Sequence, residues 1–119
     1  WKVFLEDVNQ GKFQIARSSW TGDYNDPYTF LDLFKDKDGG NNDTKWENPK
    51  YKELLNQSAL EKDPEKRKQI LAQAEAIFMD EMPAAPIYYY THSYVKKDKV
   101  KGVVLDGLGF ADWKWADIQ

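Results

Sequence analysis

Arg17-Ser-Ser-Trp-Thr-Gly-Asp-Tyr-Asn-Asp-Pro27 is the most informative part of the sequence. Just before and within it, Phe13, Ile15 and Arg17 alternate with Gln14, Ala16 and Ser18. A period of two predicts a strand over Phe13–Trp20. Thr21-Gly22-Asp23 then reads as a turn, and Asp26-Pro27 as a helix start with Asp at the N-cap and Pro in the first turn. A strand that turns directly into a helix is the junction of an α/β fold. In open α/β sheets ligands bind beyond the carboxyl ends of strands.

The same Asx-Pro signature recurs at Asn48-Pro49 and Asp63-Pro64. The first helix would carry Phe30, Leu31, Leu33 and Phe34. The second would turn Tyr51, Leu54, Leu55 and Ala59 to one side. The third is the strongest, with Ile70, Leu71, Ala74, Ile77, Phe78 and Met82 expected inward, and Pro83 ending it. Upstream, Trp1, Phe4, Leu5 and Val8 mark one face of a helix that stops before Gly11. Downstream, Ile87–Val95 and Val100–Leu105 read as strands. The order is α-β-α-α-α-β-β and the class α/β. So few strands for so many helices call for further strands supplied from outside the segment. Trp1 already lies within an amphipathic pattern, so the chain reads as a piece of something longer.

Composition narrows the chemistry. The 119 residues contain no Cys and one His, which excludes disulfide scaffolds, thiolate metal sites and a cysteine nucleophile. A net charge of −3 gives no basic face for nucleic acid. Aromatic residues reach 15%, and that excess asks for a use.

Asp26 is occupied as a helix cap, whereas Asp23 has no evident local task. A carboxylate beside Trp20 at a strand end suits a ligand ammonium group, with the indole excluding water; the plain alternative is an Asx-type turn with a core Trp. Arg17 could meet a ligand carboxylate in bidentate fashion, although pairing with an internal Asp or Glu is the commoner fate of such an Arg. Asp23 and Asp26 on one tight turn fit a glycosidase pair poorly. Tyr88-Tyr89-Tyr90 and Trp113-x-Trp115 could stack on sugars, or simply pack. His92 reads as a packed or surface residue. The loop Asp36–Asp43 lacks the carboxylate spacing and closing Glu of an EF-hand.

The run Trp20-Thr-Gly-Asp23-Tyr24-Asn25-Asp26-Pro27, followed by Thr29-Phe30-Leu31, resembles the peptide-binding motif of the oligopeptide- and dipeptide-binding proteins of ABC transporters, the family 5 extracellular solute-binding proteins. Trp46-x-Asn48-Pro49-x-Tyr51-x-x-Leu54-Leu55, Asp63-x-x-x-Arg67-x-x-x-Leu71-x-x-Ala74-Glu75, Met82-Pro83-x-x-Pro86-Ile87-Tyr88-Tyr89-Tyr90 and Val100-Lys101-Gly102 follow in the family's order. The resemblance spans the whole chain and matches the C-terminal end of much longer proteins.

It implies part of a two-lobed, type II periplasmic-binding-protein-like fold. Residues 1–86 would belong to the second lobe, and residues 87–119 would cross the hinge and pack on the first. Asp23 would bind the peptide α-ammonium, Trp20 would line a side-chain pocket, and Ser19, Trp20 and Thr21 would pair with the peptide backbone. Arg17 would meet the carboxylate of short peptides. The resemblance implies no enzyme, cofactor or metal. It implies an extracytoplasmic protein, periplasmic or a membrane-anchored lipoprotein, that delivers oligopeptides to an ABC permease and touches the membrane only through parts outside this segment. The alternatives are a carbohydrate-binding module, or a same-family binder of nickel, haem or a signalling peptide. A separated segment would leave sheet edges open, so self-association is expected of it.

Overall fold

The computed structural model describes all 119 residues, which divide into two compact units, Trp1–Ala85 and Pro86–Gln119.

The first unit is helical. Its elements are α1 (Lys2–Asn9), the short α2 (Tyr28–Leu31) running into a single 3-10 turn (Asp32–Phe34), α3 (Pro49–Leu60) and α4 (Pro64–Glu81). Local chemistry explains the starts. Asn48 has extended backbone, and its Oδ1 accepts the Tyr51 N–H at 3.0 Å. Asp63 does the same for α4, its Oδ1 accepting from the N–H groups of Glu65 at 2.9 Å and Lys66 at 3.1 Å. Each cap satisfies donors that a helix start otherwise leaves open. Pro at the next position loses no hydrogen bond there. Asp26 plays the corresponding part for α2, its Oδ1 accepting the Tyr28 N–H at 2.9 Å.

α3 and α4 pack against each other and form the core. Tyr51, Leu54 and Leu55 of α3 meet Leu71, Ala74 and Phe78 of α4. Tyr28, Leu31, Phe34, Trp46, Ile70, Ile77 and Ala84 close around them. The Tyr51 hydroxyl is buried and donates to the Leu31 carbonyl at 2.6 Å, which ties α2 to the core. Burial, and then the negative charge of Asp32, push that phenol well above its usual range, so it stays a donor at all working pH. Two periodicity readings are corrected. Ser58, not Ala59, is buried on α3, its hydroxyl donating to the Leu55 carbonyl at 2.8 Å. Met82 is not inward. It lies past the helix end in a left-handed conformation (φ 48°), about half exposed, because Pro83 disfavours another helical residue before it.

Between α2 and α3 the polar loop is held by Asn42, which is fully buried. Its Nδ2 donates to the carbonyls of Asp36 at 3.0 Å and Trp46 at 2.9 Å, and its Oδ1 accepts from the Thr44 hydroxyl at 2.8 Å. Every polar atom of that side chain is thereby used. Glu81 then joins the far end of α4 to the entry of α3, accepting from Trp46 Nε1 at 2.7 Å and Asn48 Nδ2 at 2.5 Å.

The second unit carries four two-residue strands, β1 (Val100–Lys101), β2 (Val104–Leu105), β3 (Ala111–Asp112) and β4 (Asp117–Ile118). β1 pairs antiparallel with β4, Val100 opposite Ile118, and β2 with β3, Val104 opposite Asp112. The single strand expected over Val100–Leu105 is therefore two. Gly102 separates them at φ +73°, against the Trp115 carbonyl, where no Cβ would fit.

The two longer expected strands do not form. Phe13–Trp20 and Ile87–Val95 lie outside any sheet, with Ile15 95% and Val95 100% exposed. Alternation records which residues a strand would bury. Hydrogen-bonded partners make it a strand, and this chain supplies none to either segment. No helix is long and apolar enough to cross a membrane.

Candidate functional site

The loop from Arg17 to Pro27 is built from its glycine outward. Gly22 is buried, and a Cβ there would lie 3.2 Å from Thr29 Cγ2 and 3.3 Å from the Phe30 ring. Glycine lets the turn close onto the first residues of α2. That closure brings Asp23 to Thr29. The Asp23 N–H donates to Thr29 Oγ1 at 3.1 Å, and Thr29 Oγ1 donates back to Asp23 Oδ2 at 3.3 Å. Thr29 is buried, whereas Asp23 is exposed. Asp23 therefore does have a local task, contrary to the expectation from sequence. Thr29 holds one carboxylate oxygen and leaves Oδ1 to solvent.

Asp26 is fixed still more firmly. Arg67, in the first turns of α4, grips it through two bonds, Nη1 to Oδ2 at 2.6 Å and Nη2 to Oδ1 at 3.0 Å. Both side chains are largely covered. The guanidinium hydrogen bond is the main cause that holds the Asp26 carboxyl below its usual range and raises Arg67 above its own. The sequence marked Asp26 only as a cap. Its distant partner carries no local signal, since 41 residues separate the two.

Trp20 is partly exposed and forms one wall of a shallow hollow of about 340 Å³, with Tyr24, Asp32, Lys35, Asp36 and Asn41 around it. Partial burial, and then the negative charge of Asp32 and Asp26, raise the Tyr24 phenol. Lys35 donates to Tyr28 Oη at 3.2 Å, and this bond is the main cause that raises its ammonium. Lys52 pairs with Asp36 at the rim. Four carboxylates, Asp23, Asp26, Asp32 and Asp36, thus lie in or beside this region, and Asp26, Asp32 and Asp36 are paired with Arg67, Lys35 and Lys52.

Ser19, Trp20 and Thr21 lie on a stretch whose backbone N–H and C=O groups make no hydrogen bond to the rest of the chain. The exposed Arg17 stands on the same stretch and has no carboxylate partner, so the internal ion pair that its residue type favours is absent. In the second unit, the Tyr88 and Tyr90 rings lie 6.2 Å apart and His92 meets Tyr90 edge-on at 5.9 Å. His92 also covers Gly109, where a Cβ would come within 2.6 Å of the imidazole. Trp113 and Trp115 are both mostly exposed.

No protein-family model matches the chain. Individual proteins do. The oligopeptide-binding protein OppA of Bacillus subtilis is 53% identical over 92% of this chain. The dipeptide-binding protein DppE of the same organism is 39% identical over 98% of it. The solved structure of MppA, a periplasmic murein tripeptide binding protein in its unliganded open form, superposes with a TM-score of 0.74 at 38% identity over 86% of the chain. The chain spans about a fifth of the length of each. Its α/β class and local fold are those of the matching part of that structure.

Proposed function

This chain belongs to the family of oligopeptide- and dipeptide-binding solute-binding proteins, and from that premise we propose what its loop does. The protein to which the segment belongs captures oligopeptides outside the cytoplasmic membrane and hands them to an ABC permease. It performs no covalent chemistry. The observation that carries the reading is the Asp23 carboxylate, oriented by Thr29 with one oxygen open, next to a stretch of unpaired backbone at Ser19–Thr21.

A carrier of many peptides must bind what all peptides share, their backbone groups and charged ends. Pairing a peptide to Ser19, Trp20 and Thr21 as an added strand meets the first need without reading side chains. Asp23 meets the second by accepting from the peptide α-ammonium, an ion pair worth roughly 2–5 kcal/mol once closure removes water. Trp20 covers the neighbouring side chain, and Arg17, with no internal partner, takes the carboxylate of short peptides. Residues 1–86 form part of one lobe. Residues 87–119 cross a hinge and pack on the other, so that closure traps the ligand and shapes the face read by the permease. The separated segment holds only part of this clamp, and we expect it to self-associate through its open edges.

Calorimetry on the full-length protein tests the reading. Titration with unmodified tri- to pentapeptides is expected to give saturable binding in the micromolar range or tighter, about −8 kcal/mol or better. Oligosaccharides are expected to give no heat. Binding of a sugar and not of peptides would overturn it.

A further inference from the structure

Arg67 is far from the ligand loop in sequence, and the fold spends its guanidinium there. α4 is anchored by the core through Leu71, Ala74 and Phe78, which makes its first turns a fixed platform. From that platform the planar guanidinium meets both oxygens of Asp26 in a fork geometry, which fixes the carboxylate in plane as well as in distance. Asp26 Oδ1 also accepts the Tyr28 N–H, and its carbonyl accepts the Thr29 N–H at 3.3 Å. Asp26 therefore sets where Thr29 stands. Thr29 in turn holds Asp23 by its two reciprocal bonds. The path Arg67–Asp26–Thr29–Asp23 is continuous, and Arg67–Asp26 is the ion pair that joins this loop to α4.

We infer that Arg67 is a positioning residue for the ligand ammonium site, acting through Asp26 and Thr29 to hold the Asp23 carboxylate at the angle a peptide N-terminus needs. The inference rests on the proposed role of Asp23. Arg67 touches no ligand itself. Its contribution is geometric, because a charge-assisted contact loses strength steeply when its acceptor swings away. The role is therefore specific to ligands with a free amine.

The test is a set of variants of the full-length protein, each titrated with one tripeptide in free-amine and N-acetylated forms. Asp23→Ala, Arg67→Met, Asp26→Asn and the Asp23→Ala/Arg67→Met double variant are compared. Asp26→Asn keeps a side-chain oxygen for the Tyr28 N–H but removes the charge and one of the two oxygens that Arg67 grips, so it stands in if Arg67→Met fails to fold. The expected result is a loss of about tenfold for the free-amine peptide in Arg67→Met and in Asp26→Asn, with less than about twofold for the acetylated one. Arg67→Lys, which restores charge without the fork, should recover part of the loss. In the Asp23→Ala background, Arg67→Met should cost less than about twofold. An equal loss for both peptides, or full additivity with Asp23→Ala, would show a merely structural Arg67 and overturn the inference. Should Asp23→Ala itself leave free-amine binding unchanged, the proposed ammonium site fails, and the inference falls with it for that distinguishable reason.

Discussion

Asp26 caps α2 and anchors it to α4 with one carboxylate, and the two-bond grip of Arg67 needs the ionised form. Its pKa in the fold is below the value it has in an unfolded chain, with the Arg67 hydrogen bond as the main cause. The sign follows from proton linkage. Stability from this group is fully present above the ordinary carboxylate range and is lost as pH falls through the folded pKa below it. With both side chains partly exposed, the pair contributes roughly 1–2 kcal/mol. Urea unfolding of wild type and Asp26→Asn should therefore differ by about that amount at pH 7 and converge toward pH 2. A difference that persisted undiminished in strong acid would place the effect elsewhere. At this scale the sequence was half legible. The cap at Asp26 follows from its neighbour Pro27, but its partner Arg67 can be placed only by the fold. Arg17 shows the reverse, since residue type favours an internal carboxylate and the fold provides none.

The helices were the readable elements because what makes them is local. Asn48-Pro49 and Asp63-Pro64 state a cap and a first turn within two residues, and both helices begin there. Asn48→Ala and Asp63→Ala should each cost about 1 kcal/mol, with Asn48 the costlier because its Nδ2 also donates to Glu81. Denaturant midpoints of the two variants check the order. The periodicity of α3 and α4 named most of the core, and erred where a neighbouring small residue competed, Ser58 with Ala59, or where Pro83 turned the chain at Met82. The strands were not readable in the same way. Phe13–Trp20 and Ile87–Val95 have strand composition without strand partners, and pairing is a non-local fact that alternation cannot report. The interruption at Gly102 is a conformational fact of the same kind, because a glycine in a run of Val and Lys says nothing of where a distant carbonyl will lie.

Across the whole chain the aromatic excess divides by unit. Tyr28, Phe34, Trp46, Tyr51 and Phe78 serve the helical core, where Trp46 meets Tyr51 and Phe78 edge-on at 5.0 and 5.9 Å. Trp20 stands in the Arg17–Pro27 loop, at the proposed ligand site. Tyr88, Tyr89, Tyr90, Trp113 and Trp115 of the second unit remain mostly exposed. The candidate site was visible in sequence as a constellation, Trp20 and Asp23 on a turn between a strand-like segment and a helix. Its support was not: Gly22 closing on Thr29, Thr29 orienting Asp23, and Arg67 fixing Asp26 are contacts that only packing creates. The proposed capture of peptides stands on one carboxylate recognising one ammonium group. Calorimetry of the full-length protein with a tripeptide, free and N-acetylated, against wild type and Asp23→Ala, addresses it directly. Acetylation should weaken wild type by about thirtyfold or more, close to 2 kcal/mol, and should scarcely affect Asp23→Ala. Undiminished affinity of Asp23→Ala for the free-amine peptide would contradict the account.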